Sequence, residues 1–143
     1  MNSSDPMLRG LYLFAEDVRK SVKFHELLGL TSEVVSDDFA RFTWTNGATL
    51  EIGSAKLTAS YDPQWQAPGN PSKNTISFEF STAQQVDEMH HRMVEAGYTS
   101  QLAPCLPPWQ ARFAIVIDPD GNLVGLHGPR DLTSDRRREG AGG

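Results

Sequence analysis

The chain has 143 residues, of which 38% are hydrophobic and 22% charged, enough apolar side chain for one domain or two small units on a core, and too much for a wholly disordered chain. Thirteen Lys and Arg against 18 Asp and Glu leave a net charge of −5, which argues against a nucleic-acid groove, since such grooves are built on a basic face. No apolar run nears the roughly 18 residues of a membrane span, and Met1 to Leu8 lack the apolar stretch of a signal peptide.

Gly10 to Ala15 reads as a strand, with Leu11 and Leu13 on one face and Tyr12 and Phe14 on the other. Glu16 and Asp17 supply a helix cap and first-turn negative charge. Val18, Val22, Phe24, Leu27 and Leu28 form a helical stripe that Gly29 stops. Strands are expected over Leu30–Val35, Phe39–Thr45 and Ala48–Ile52, the last two joined by a turn at Asn46-Gly47. Residues 54–74 hold three prolines and little periodicity, and read as a connecting loop long enough to have a function of its own.

The same order then returns. Thr75–Phe80 is a strand. Ser81 with Gln84, or Thr82 with Gln85, offers a capping box before the stripe Val86, Met89, Met93, and Gly97 ends the helix. Tyr98–Leu102 is a strand, Pro104, Pro107 and Pro108 mark a loop, Phe113–Ile117 is a strand, Asp118-Pro-Asp-Gly-Asn122 is a turn, and Leu123–His127 closes the chain's regular structure. The repeat predicts an α+β fold of two βαβββ modules, residues 8–53 and 75–128, whose mixed sheets curl into a trough with the helices outside. The intervening 54–74 is the linker or lid, and 129–143 a disordered tail.

The tail holds four Arg and three acids, so the body carries −6 and attracts cationic ligands. The single cysteine, Cys105, excludes an intrachain disulfide and a multi-cysteine zinc site. Neither a phosphate-loop glycine spacing nor a supported Ser-His-Asp set is present. The expected setting is cytoplasmic, with no nucleic-acid or membrane partner.

Three pieces together resemble the vicinal oxygen chelate superfamily, which includes glyoxalase I, extradiol dioxygenases and bleomycin-resistance proteins. They are Glu16-Asp-Val-Arg-Lys-Ser-Val-Lys-Phe24 with Leu28-Gly29, the dipeptide Pro108-Trp109, and Asp118-Pro-Asp-Gly-Asn-Leu-Val124. The resemblance covers residues 8–128. It implies a divalent metal held by residues at positions 10, 51, 75 and 125, where this chain has Gly10, Glu51, Thr75 and Gly125. Only Glu51 is a strong ligand. Glu79 and His127 share the parity of Thr75 and Gly125 but lie about 13 Å and 7 Å further along their strands.

No metal or other cofactor is therefore expected. Strand parity instead turns Tyr12, Phe14, Glu51, Ser77, Glu79 and His127 inward, and Trp44, Trp65 and Trp109 add aromatic surface, Trp65 from the linker as a lid. Such a lining suits a bulky aromatic or cationic small molecule. Glu51 and Glu79 read either as carboxylates paired or solvated in the trough or as general bases. The reading is a metal-free protein of the bleomycin-resistance type that sequesters an antibiotic or secondary metabolite, as a homodimer whose modules can be exchanged. The alternative is a lyase, isomerase or dioxygenase of the same superfamily, with an unusual metal ligand set or with a glutamate base.

Overall fold

The computed structural model describes residues 5–69, 74–107 and 111–130. The first module runs β1 (Gly10–Phe14), α1 (Val18–Leu27), β2 (Ser32–Val35), β3 (Phe39–Thr43) and β4 (Thr49–Gly53), followed by a short α2 (Ala55–Tyr61). The second runs β5 (Thr75–Glu79), α3 (Ala83–Glu95), β6 (Thr99–Cys105), β7 (Phe113–Ile117) and β8 (Leu123–His127). Each module forms its own four-stranded sheet, ordered β1-β4-β3-β2 and β5-β8-β7-β6. In both, the first strand pairs in parallel with the last, and the remaining pairs are antiparallel. The chain is α+β, built from two similar modules.

Local chemistry sets the helix ends. The Asp17 carboxylate accepts from the Lys20 amide at 3.1 Å and caps α1. Thr82 and Gln85, rather than Ser81 and Gln84, form the reciprocal capping box of α3. Gly29 and Gly97 follow the helices with φ of 105° and 98°, a left-handed geometry that glycine adopts at no steric cost.

Each core lies between a helix and one face of its sheet. In the first module, Leu13, Ala40, Phe42, Leu50 and Ile52 meet Val18, Val22 and Phe24. In the second, Ala114, Val116, Val124 and Leu126 meet Val86, Met89 and Met93. Fully burying each larger apolar side chain contributes about 1.5–3 kcal/mol. His25 is wholly buried in the first core, its Nδ1 2.8 Å from the Ser21 carbonyl and its ring beside Phe24 and Phe42.

Two expectations are corrected. The linker is not a loop throughout, because Ala55–Tyr61 is helical. Ser54 directly after β4 caps it, its hydroxyl accepting from the Leu57 amide at 3.1 Å, and no Gly or Pro interrupts residues 54–61. Strand β6 continues to Cys105 and so includes Pro104. It is an edge strand with an irregular register between Leu102 and Cys105, and an edge tolerates a residue without an amide proton. The tail beyond Arg130 and the Pro108-Trp109 dipeptide lie outside the described residues.

Candidate functional site

Each sheet has a second face, turned away from its helix, and strand register fixes what that face carries. In the first module the rows read Gly10, Thr49, Thr43; then Tyr12, Glu51, Arg41; then Phe14, Gly53, Phe39. Arg41 Nε lies 3.2 Å from Glu51 Oε2, and the Arg41 guanidinium stands 5.3 Å from the Phe39 ring centroid, within cation–π range. Glu51 is thus already paired with a cation from the neighbouring strand.

Helix α2 folds back onto this face. Tyr12 Oη is 2.9 Å from Thr58 Oγ1, and the Thr58 hydroxyl donates onward to the Ser54 carbonyl at 2.8 Å. Tyr61 meets Tyr12 edge-on at 6.2 Å between ring centroids, and Trp65 packs against Phe14 at 4.9 Å. The Trp65 amide bonds to the Asp62 carbonyl, and the Asp62 carboxylate accepts from the Gln64 amide, which orders the turn carrying the indole. Burial raises the pKa of the Tyr12 phenol; the Thr58 bond opposes this, while Tyr61 and Glu51 add to it. Tyr12 with Tyr61, and Phe14 with Trp65, make two aromatic pairs on the face that carries the Arg41–Glu51 pair.

In the second module the matching rows are Thr75, Leu123, Ile117; then Ser77, Gly125, Ile115; then Glu79, His127, Phe113. The imidazole of His127 leans back along its strand. Its Nε2 is 3.1 Å from Ser77 Oγ and would be 3.0 Å from a Cβ placed on Gly125. The Phe113 ring lies 4.5 Å from it, tilted by 44°. A cavity of about 440 Å³ opens here, lined by Ser77, Phe78, Glu79, Ala111, His127, Gly128 and Arg130. The two faces use opposite solutions. An aromatic on β1 leans over a glycine on β4 in one, and an aromatic on β8 leans toward a serine on β5 in the other.

Burial lowers the pKa of His127, with Glu79 opposing and Arg130 assisting. Burial also lowers that of His90, whose Nε2 is 2.7 Å from Ser100 Oγ. Folding therefore favours the neutral form of both rings. The resulting stabilisation is complete above the unfolded imidazole value of about 6.5 and is lost as pH falls through the folded values. Urea unfolding across this range should show stability dropping on the acid side of about pH 6.5, and the H90Q/H127Q variant should flatten that drop. An unchanged acid limb in the double variant would remove both histidines from the account.

The positions that the family resemblance assigns to metal ligands do not suit a metal here. A Cβ on Gly10 would lie 2.0 Å from the Thr49 carbonyl oxygen, so the backbone leaves no room for a side chain. Gly125 is overlaid by His127, Thr75 brings only a hydroxyl, and Glu51 is engaged by Arg41. Among the described residues, no group of three or more His, Cys, Asp or Glu is placed to hold an ion.

Of the residues that sequence reasoning selected, Tyr12, Phe14, Glu51 and Trp65 come together on the first face. Ser77, Glu79 and His127 come together on the second. Trp44 lies one residue beyond β3 at the hairpin, where its amide bonds to the Ala48 carbonyl. Trp109 lies outside the described residues. Sequence reasoning missed Tyr61, Arg41, Phe113 and Arg130. Tyr61 was findable from the Ser54 cap, and Arg41 from its alternation with Phe39 and Thr43. Among the described residues, no helix is long and apolar enough to cross a membrane.

The two repeated βαβββ modules define the class, and residues 8–126 match the family model of the Glyoxalase/Bleomycin resistance protein/Dioxygenase superfamily. The chain belongs to that superfamily. Among solved structures it is similar to a glyoxalase-related enzyme from Fulvimarina pelagi, with a TM-score of 0.75 and 18% identity over 86% of this chain and 88% of that one. It is also similar to a hypothetical protein from S. aureus, with a TM-score of 0.72 and 20% identity over 90% and 95%. A lactoylglutathione lyase from Agrobacterium tumefaciens follows, with a TM-score of 0.68 and 16% identity over 91% and 98%. At these identities the likeness establishes the fold alone. No curated protein matches the chain.

Proposed function

We propose that this chain is a metal-independent binding protein that holds a bulky aromatic or cationic small molecule unaltered. The ligand class is an antibiotic or secondary metabolite, and its capture confers resistance by sequestration. The observation that carries this reading is the fate of the four family ligand positions, above all Gly10, where the Thr49 carbonyl excludes any side chain. What stands in their neighbourhood is aromatic surface, Tyr12, Phe14, Tyr61 and Trp65, beside the Arg41–Glu51 pair. Aromatic rings supply stacking area for a planar ligand, and their π-faces favour a cationic one.

The test is a tryptophan-fluorescence titration against antibiotics and polycyclic natural products, with each ligand recovered and its mass measured. Saturable quenching with the mass unchanged is the expected result. In the same assay Trp65→Ala should weaken binding by about 1–3 kcal/mol, the range of an aromatic hot spot. Recovery of a chemically altered ligand makes the protein an enzyme and overturns the reading, and so does a panel that produces no quenching at all.

A further inference from the structure

The cavity of the second module has an unusual charge arrangement. It is lined by one carboxylate, Glu79, and one guanidinium, Arg130. Among the described residues neither makes an ion pair within 4 Å, whereas the neighbouring cation Arg112 is held by Asp87 at 2.9 Å. Arg112 belongs to the same rim, since its carbonyl accepts from the Gly128 amide at 2.7 Å. The rim thus neutralises one of its two arginines internally and leaves an acid and a base facing the same space. Between them, His127 and Ser77 form a hydrogen-bonded pair that the Phe113 ring holds in place. The volume, about 440 Å³, falls in the range of small-molecule sites.

A ligand of one sign is attracted by one of these groups and repelled by the other, so neither a plain cation nor a plain anion is well matched. A dipolar ligand satisfies both, and complementary placement of charge gives selectivity against the singly charged forms. We infer that this cavity binds a zwitterion of the amino-carboxylate class, Glu79 receiving the ammonium group and Arg130 the carboxylate. A guanidinium suits the carboxylate end because its fork of N–H donors matches the two oxygens. Ala111 supplies an apolar part of the wall, which favours an amino carboxylate with an apolar side chain. The inference rests on the reading that the open faces of the modules bind small molecules, and it names the polar group that the second face recognises.

Calorimetric titration with L-phenylalanine, its methyl ester and N-acetyl-L-phenylalanine tests it. The free zwitterion should bind about tenfold or more tightly than either blocked form, a difference of about 1.4 kcal/mol. Glu79→Gln should abolish the discrimination against the N-acetyl compound and keep that against the ester. Arg130→Gln should do the reverse. Both side chains are exposed, so neither substitution opens the core. Equal affinity for all three compounds overturns the assignment, as does discrimination that survives both substitutions. If L-phenylalanine gives no saturable heat while the fluorescence titration saturates, the zwitterion site falls and the binding reading stands. If neither saturates, both fall.

Discussion

Replacing Asp118 with alanine is expected to lower the stability of the second module by about 2–4 kcal/mol. The Asp118 side chain is almost wholly buried, at 4% exposure. Its Oδ1 accepts from the Asp120 and Asn122 amides at 2.9 and 2.8 Å, and its Oδ2 accepts from the Asn122 side-chain nitrogen at 2.9 Å. The turn closes further through the Asp118 amide to the Asn122 carbonyl and the Gly121 amide to the Asp118 carbonyl, with Gly121 at φ 88°. Removing the carboxylate strands three donors, two of them backbone, and each stranded buried donor costs about 1–3 kcal/mol, less where water reaches it. The turn also sets the register of β7 on β8, Ile117 opposite Leu123. Urea unfolding should show a lower midpoint with an unchanged slope. A loss below about 0.5 kcal/mol, the scale of an ordinary surface change, would mean that the turn holds without its hub.

Gly53→Ala is expected to destabilise the first module by about 1–3 kcal/mol, the usual cost of forcing extra volume into a packed site. A Cβ there would lie 1.6 Å from Tyr12 Oη and 2.4 Å from its Cζ. The phenol must therefore lift away, and its bond to Thr58 breaks. Because Thr58 and Tyr61 belong to α2, the helix loses its polar and its aromatic attachment to Tyr12 at once. Two readouts should move together. The unfolding midpoint falls, and Trp65 emission shifts to longer wavelength in a background where Trp44 and Trp109 are phenylalanine. Tyr12→Ala removes the clash, so the double variant should be less destabilised than the sum of the singles. Strict additivity would show that Tyr12 and Gly53 are not in contact.

Much of this arrangement was legible in the residues, and the reasons are specific. Alternation in Gly10–Phe14 separates Leu13 from Tyr12 and Phe14 because side chains on a strand point to opposite faces. The Asp17 cap, the Asn46-Gly47 hairpin and the Asp118 turn are local devices whose chemistry lies within four residues. Helix α2 was hidden for a physical reason. Seven residues are too few for a helix to form on propensity alone, and its attachments, Tyr12 to Thr58 and Tyr12 to Tyr61, span 46 and more positions. Pro104 concealed the end of β6 because a proline opposes strand formation except at an edge, and edge position is a property of the sheet, not of the segment. The Arg41–Glu51 pair depends on the register of β3 on β4, which the hairpin turn sets but residue types alone do not name.

The strand order bears on how the chain acquires its structure. In each sheet the last strand made in sequence, β4 or β8, is inserted between the first and the third, so that among the described residues β1 pairs only with β4 and β5 only with β8. While the chain is being synthesised from its N-terminus, β1 has no ladder partner until residues 49–53 have emerged, and β5 none until 123–127 have. Each sheet is therefore completed only at the step when its last strand arrives and supplies both remaining ladders. The first module can take that step while the second is still being translated, as domains that fold in turn on the ribosome do. A nascent chain stopped short of Leu123 would carry a finished first sheet and, behind it, a β5 and a β6–β7 pair with no strand to join them.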